Sequence, residues 1–541
     1  MSDNIAINSL SDDSDWSNLS LSIDPQNNIS AVKGVLKHLK ILSAKSVIIE
    51  NEYLDRDFTA AFSEFYATVF KRHTKLCRRF HFFRIDITNI FLETDPAKLS
   101  QGLQESGEND EYIGFVVVRP IAHAPLGCVV ISVPKEPNSL KSYLLVNAEY
   151  EVHLLGATFR INGMPLTQQD SRVGACAQAS IWMAGRHFHT RHRGKWFSTV
   201  DITKAATKVA DFSLSRSLPA GSEFLGLNNM VQALRAMDRE PFTYIGVDPN
   251  KNMAINWGKL RPRDIINRYV DSGIPVILGL QQESGIGHAV VATGHSLKEI
   301  NSNVALPIEP TRAEFCEAFL VNDDQRGINL RMPVMQASAL GETSYSVEQH
   351  VSWIIIPLPS KVFIPAENAE KLAWELLKNY RNDWKDHKTF HNDNLGGSTL
   401  AGDEFVGAID ANKVMARTYL TYGWKYKARM LANDIGTDFK RGLLYHEFPR
   451  YVWVTEFGTL ESLNHINFKA RRIFSHAVID ATASKFWESR CMFHAPGFGL
   501  RWYHDPDNIF GDYKDAVTPV ADDAEYYPKF RGSDGFDMYR N

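Results

Sequence analysis

Cys176 sits in GACAQASIWMAG, Gly174 to Gly185, where small residues and good helix formers read as the first turns of a helix. A thiol attacks carbon as the thiolate, which a helix N-terminus stabilises through its free N–H groups and backbone dipole. Covalent chemistry also asks for a base, a group that orients the base, and donors for the oxyanion. His288 is the base candidate: in SGIGHAVVATGHS it follows Gly287 at the start of a strand, fixed by the strand yet at the rim of a sheet. The orienter candidates are Asn322, Asp323 and Asp324, at the end of the apolar strand in EAFLVNDDQRG. An oxygen from any of the three can accept from one imidazole nitrogen and leave the other facing a thiol. Each piece alone has an ordinary explanation: a buried small thiol, a strand-end histidine, a polar turn. The order of helix-start cysteine, strand-start histidine and strand-end acid or amide is what makes a nucleophilic site the better reading. His295, at the far end of the same strand, reads as structural.

The segments that must hold these residues form a central region, 151–362. Helices are expected after Cys176, in GLNNMVQALRAMDR and in RPRDIINRYVDSG, followed by strands in IPVILGLQ, HAVVATGH and AFLVND. Helices first and strands afterwards point to an α+β arrangement with an antiparallel sheet. Residues 1–30, rich in Ser, Asn and Asp, read as a mobile tail. Residues 31–150 read as an N-terminal α/β domain. There KSVIIEN, FHFFRIDI and YIGFVVVRPI are strands, and a helix capped by Asp55 or Asp57 buries Phe58, Phe62, Phe65 and Val69. Residues 363–541 read as a C-terminal α/β domain, with Ala369, Leu372, Leu376 and Tyr380 on one helical face and HKTFHNDNLGGSTLAGD as a polar linker.

The central phrases SGIPVILGL, GHAVVATG and FLVNDD resemble the papain-like cysteine peptidases, above all the branch that includes bacterial double-glycine leader peptidases. There a G-x-P-V-I phrase precedes G-H-x-V-V-x-x-G, and a later strand ends in Asp or Asn. The resemblance covers the central region alone. It implies a helix carrying Cys176 packed on an antiparallel sheet, with Cys176 as nucleophile, His288 as base and Asp323 as orienter; Asn322 and Asp324 are one-residue alternatives. The family's glutamine, an oxyanion donor six residues before the cysteine, falls on Asp170, so Gln169 takes that role with one extra loop residue. Ala177 stands where the family commonly has glycine, and the span from His288 to Asp323 carries the insertion SLKEINSNVALPIEPTRAEF. The expected function is hydrolysis of a peptide or protein amide bond, with a protein or peptide as substrate and neither cofactor nor metal. The same thiol chemistry serves an amidase or an acyl- or amine-transferring enzyme, and a degenerate scaffold that only binds a partner is the non-enzymatic alternative.

A formal net charge of −4 with 44% hydrophobic and 23% charged residues is ordinary for a globular chain and requires no polyanionic partner. The acidic, polar N-terminus lacks the basic start and apolar stretch of a signal peptide, and no apolar run reaches the roughly 20 residues of a membrane helix. Five scattered cysteines fit a reducing compartment, so a cytoplasmic location off the membrane is expected, with the oligomeric state left open. KRHTKLCRRFHFFR, Lys71 to Arg84, interleaves basic and aromatic residues but reads as a helix end running into a strand with a basic face, so no nucleic-acid partner is expected. His187, His189 and His192 in GRHFHTRHRGK read as a cationic last turn of the Cys176 helix. Cys491 with His476 is the reserve thiol pair.

Overall fold

The computed structural model describes residues 4–69, 72–133, 141–170, 176–208, 225–248, 254–281, 287–298, 305–336, 341–432, 437–460, 473–504 and 513–519. The chain is a mixed α+β protein, and every ladder among its described strands is antiparallel. Consecutive strands mostly lie side by side, which hairpins and helical excursions allow and parallel crossovers do not. The α/β expectation for both flanking domains is therefore corrected to α+β. No helix among the described residues is long and apolar enough to cross a membrane.

The N-terminal sheet runs in sequence order through Ile5–Ser9, Ser46–Tyr53, Cys77–Phe83, Tyr112–Val118 and Leu126–Ile131. Within the stretch 1–30, expected as a mobile tail, the described residues from 4 onward carry regular elements instead. Ile5–Ser9 is an edge strand of this sheet, and Asp13–Ile23 is a helix opened by an Asp12–Asp15 capping box, with Trp16, Leu19 and Ile23 buried. Sparse apolar residues at helical spacing suffice here because a sheet face receives them. The next helix, Ser30–Ile41, buries Ala31, Val32, Val35 and Leu39. EVHLLGATFRI turns at Leu155 and Gly156 within the hairpin Ala148–Leu154 with Ala157–Gly163. Its Val152, Leu154, Phe159 and Ile161 pack with Phe83 and Tyr112, so the hairpin joins the N-terminal core across the expected boundary at 151.

The central sheet lies in the order Gly327–Pro333, Cys316–Asp323, Gly287–Leu297, Val276–Gln281, Val351–Pro359, Arg239–Ile245. Lys141–Leu144 also joins it, pairing with the far half of Gly287–Leu297. The helix Cys176–His192 packs on Gly287–Leu297, and nearly all of it from Ala177 to Phe188 is buried, as an apolar helix between layers should be. The helices Leu227–Ala236 and Pro262–Asp271 and the three expected strands occur where the spacing puts them.

The C-terminal sheet is a meander of Val414–Tyr422, Tyr451–Thr459, Ser475–Asp480, Arg490–Ala495, Phe498–His504 and Tyr513–Pro519. Ala366–Asn382 covers it with Ala369, Leu372, Leu376 and Tyr380 buried, on the face the spacing gives. The expected linker is largely helical, as Trp384–Asn394 and Leu400–Asp410. Gly402 lies against the Trp384 ring, where a Cβ would come within 2.0 Å of it. Arg268 clamps Glu370 through contacts of 2.6 and 3.0 Å, joining the central and C-terminal units.

Candidate active site

Cys176 is the first described residue of its helix and is half-buried. Burial pushes the other four thiols up, Cys77 to about 12, which leaves them protonated and unreactive. The helix is held from two sides. Ser180 Oγ donates to the carbonyl of Ala289, next to His288, at 3.2 Å. From the N-terminal unit, Asp57 accepts from Trp182 Nε1 at 3.0 Å and Arg186 Nε at 3.2 Å, while Asp55 caps its own helix through Phe58 N–H at 2.7 Å. Of the two acids considered as caps, Asp55 is the cap and Asp57 anchors the Cys176 helix.

His288 is 4% exposed at the start of its strand. Its Nε2 donates to Asp323 Oδ1 at 3.0 Å. Nδ1 is buried and has no hydrogen-bond partner among the described residues, and the Cys176 side chain is near enough to favour the charged ring. Burial works against the charged imidazole. The hydrogen bond to Asp323, the nearby Cys176 side chain and the charge of Asp323 outweigh burial and raise His288 to about 10.

Asp323 ends its strand fully buried and fully engaged. Oδ1 also accepts from Gln325 N–H at 2.9 Å, and Oδ2 accepts from the Tyr345 hydroxyl at 2.5 Å. Burial pushes this carboxyl up, but His288, Tyr345 and Gln325 outweigh it and hold it below the usual carboxylate range. Tyr345 has no signal in GETSYSVEQH that ties it to Asp323; only the fold brings the two together.

The neighbouring candidates separate cleanly. Asn322 is a latch, not an orienter: its Nδ2 donates to Pro165 O at 3.1 Å and its Oδ1 accepts from Asn329 N–H at 3.0 Å. Asp324 is fully buried, with Oδ1 3.9 Å from His288 Nε2. Burial pushes Asp324 up to about 8, against the attraction of His288 and with the repulsion of Asp323, so near neutral pH it is mostly an uncharged acid. The Gln169 backbone faces Asp324, and Gln169 borders a small cavity, about 30 Å³, that Ala179 and Trp182 of the Cys176 helix also line. Cys176, His288, Asp323, Asp324 and Gln169 are thus neighbours in one region of the fold. Gln168 is spent on structure, accepting from Leu126 N–H at 3.2 Å. Gly174 and the rest of 171–175 lie outside the described residues.

The turn after Asp323 is held by the N-terminal unit. Gly327 has φ +134°, a backbone that favours glycine, and a Cβ on Gly34 of Ser30–Ile41 would meet the Arg326 carbonyl oxygen at 1.9 Å. Gly34→Ala is expected to lower stability by about 1–3 kcal/mol, read as an earlier urea midpoint. An unchanged midpoint would show that helix and turn do not touch.

Other expectations need correction. His187 and His192 do not form a cationic turn: burial lowers both, His192 to about 3 with help from Arg239, Arg191 and Lys425, so they are neutral. His189 pairs with the Gly194 carbonyl at 2.8 Å. The reserve pair is not a nucleophilic site: Cys491 is buried against the Ser489 carbonyl, and His476 Nε2 takes the Tyr426 hydroxyl at 2.7 Å. In the basic stretch, Arg79 and His81 turn to Glu50 at 2.5 and 2.9 Å, and Arg84 to Asp110 at 3.6 Å. His295 is structural as expected, fully buried with Nε2 3.0 Å from Asp271. Ligand atoms of His288, Asp323 and Asp324 lie within 4.8 Å of one another, close enough to share a cation. No family model, curated protein or solved structure matches this chain.

Proposed function

We propose that the protein is a thiol hydrolase of papain-like fold, a peptidase acting on a peptide or protein amide bond through Cys176, His288 and Asp323. One observation carries this reading: a buried imidazole is hydrogen-bonded to Asp323 through Nε2, keeps Nδ1 unpartnered among the described residues, and has the Cys176 side chain near its ring. A cysteine helix packed on an antiparallel sheet that carries histidine and acid is also what the resemblance implies.

In the proposed reaction Cys176 Sγ bonds to the carbonyl carbon, and the C–N bond breaks as the His288 imidazolium passes its proton to the leaving amine. Water then attacks the thioester, giving its proton to the now neutral imidazole and regenerating the thiolate as the acid departs. The Cys176 N–H at the helix start, with Gln169, is suited to hold the oxyanion. An amine in place of water makes the same enzyme a transferase.

The grouping of His288, Asp323 and Asp324 favours a second reading, a divalent-cation site. Asp324, pushed up to about 8, weighs against it, since a ligating carboxylate must give up its proton. The test is brief treatment with iodoacetamide, mapped by mass spectrometry with and without EDTA. The expected result is labelling of Cys176 at least about ten-fold faster than any other cysteine, since Cys77, Cys316 and Cys491 are buried and these three and Cys128 are held protonated, with EDTA indifferent. Equal, slow labelling of several cysteines overturns the thiol reading; labelling that EDTA switches on favours the cation. Incubating a peptide library with the protein and with Cys176→Ala, with and without added methylamine, separates hydrolysis from transfer.

A further inference from the structure

A second cavity, about 140 Å³, lies between the central and C-terminal units, beside the far end of the Cys176 helix. Arg191 and His192 of the helix line it, with Arg239, Arg450 and the tyrosines Tyr422 and Tyr451. No Asp or Glu is among its described lining residues. Arg239 is substantially buried in a cavity whose described lining offers no carboxylate, which leaves its charge poorly compensated. Among the described residues Arg239 has no ion pair, its Nε is buried without a hydrogen-bond partner, and its guanidinium stacks 4.0 Å from the Phe188 ring centre. Thr421, 3% exposed, also lines the cavity, and its hydroxyl has no partner. Burial keeps His192 neutral, and Arg239, Arg191 and Lys425 act in the same direction.

Such a cavity is built for an anion, and guanidiniums suit phosphate because their N–H forks match its oxygens. Its walls specify more than charge. The Tyr422 and Tyr451 rings lie 5.2 Å apart between centres, and Pro357 and Pro359 add apolar surface. A flat, polarisable ring can pack there while its phosphate meets the arginines.

We propose that this junction binds a nucleoside phosphate, with Arg239 and Arg450 on the phosphate, Thr421 as an added hydrogen-bonding group and Tyr422 and Tyr451 against the base. The site is separate from Cys176: a helix of 17 residues spans about 25 Å at 1.5 Å per residue. Nothing in the proposal depends on the thiol chemistry.

Isothermal titration of the full-length protein with AMP, GMP and inorganic phosphate tests it. At least one nucleotide is expected to bind more tightly than phosphate alone, with affinity falling as salt rises. Arg239→Met and, separately, the exposed Arg450→Ala are expected to weaken that binding about ten-fold or more, while Cys176→Ala leaves it unchanged. Arg450→Ala keeps the test open should Arg239→Met fail to fold. Lack of binding by all three probes at millimolar concentration overturns the proposal. So does phosphate binding as tightly as the nucleotides, or nucleotide binding indifferent to Arg450→Ala.

Discussion

At pH 5, Cys176 is expected to alkylate at least about ten-fold faster in the native protein than in the His288→Ala variant. The proposed resting state is a thiolate beside an imidazolium, and His288, raised to about 10, stays charged throughout the acidic and neutral range. An ordinary thiol with a pKa near 8.5 is only about 3 × 10⁻⁴ ionised at pH 5. The greater intrinsic nucleophilicity of a more basic thiol recovers part of that loss but not all of it. The native rate should therefore fall less steeply toward pH 5 than the rate of the variant. Parallel profiles would remove the imidazolium from the mechanism. Stability provides a second readout, with the opposite dependence on pH. The folded pKa of His288 lies above its unfolded value of about 6.5. The stabilisation is thus complete below about pH 6.5 and lost as pH rises through about 10. The melting temperature of the native protein should fall across that window by a few degrees more than that of His288→Ala.

Local chemistry in the sequence marks the residues of the candidate site; the groups that hold them come from elsewhere in the chain. Cys176, His288 and Asp323 each stand at the end of a regular element, where helical spacing or an apolar run breaks against a turn, and such breaks are written locally. Choosing Asp323 over Asn322 required the fold. Both are fully buried at the same strand end, but alternation along a strand sends one side chain to His288 and the other to the Pro165 carbonyl. Tyr345 and Asp57 were hidden for a stronger reason. Tyr345 reaches Asp323 across 22 residues of sequence and Asp57 reaches Trp182 across 125, and no periodicity spans such separations. The N-terminal 30 residues misled through composition: Ser, Asn and Asp read as disorder, yet here Asp12 caps a helix and Trp16, Leu19 and Ile23 find a sheet face supplied from further along the chain.

The triad reading makes its strongest demand on Asp323. Asp323→Ala is expected to cost about 3–5 kcal/mol of stability, since it strips the charged partner from a buried imidazole and leaves the Tyr345 hydroxyl and Gln325 N–H unpaired. Turnover of any substrate found for Cys176 should fall about 10²–10⁴-fold, because the ring loses the acceptor that fixes which nitrogen faces the sulfur. The imidazole titration, followed by NMR of the ring protons, should drop from about 10 toward the ordinary histidine range. A stability loss alone would not establish orientation, so Tyr345→Phe is the control. It removes one hydrogen bond to the same carboxylate, at a cost of about 1.5–3 kcal/mol, and leaves the His288 contact in place. It should destabilise the protein while sparing most of the turnover. Asp324→Asn completes the comparison: as a mostly uncharged acid near neutral pH, Asp324 contributes little negative charge to His288 and should be replaceable by the neutral amide with little loss. If Asp324→Asn abolished turnover and Asp323→Ala spared it, the orienting role would pass to the neighbouring acid and the bond between His288 Nε2 and Asp323 Oδ1 would be structural only.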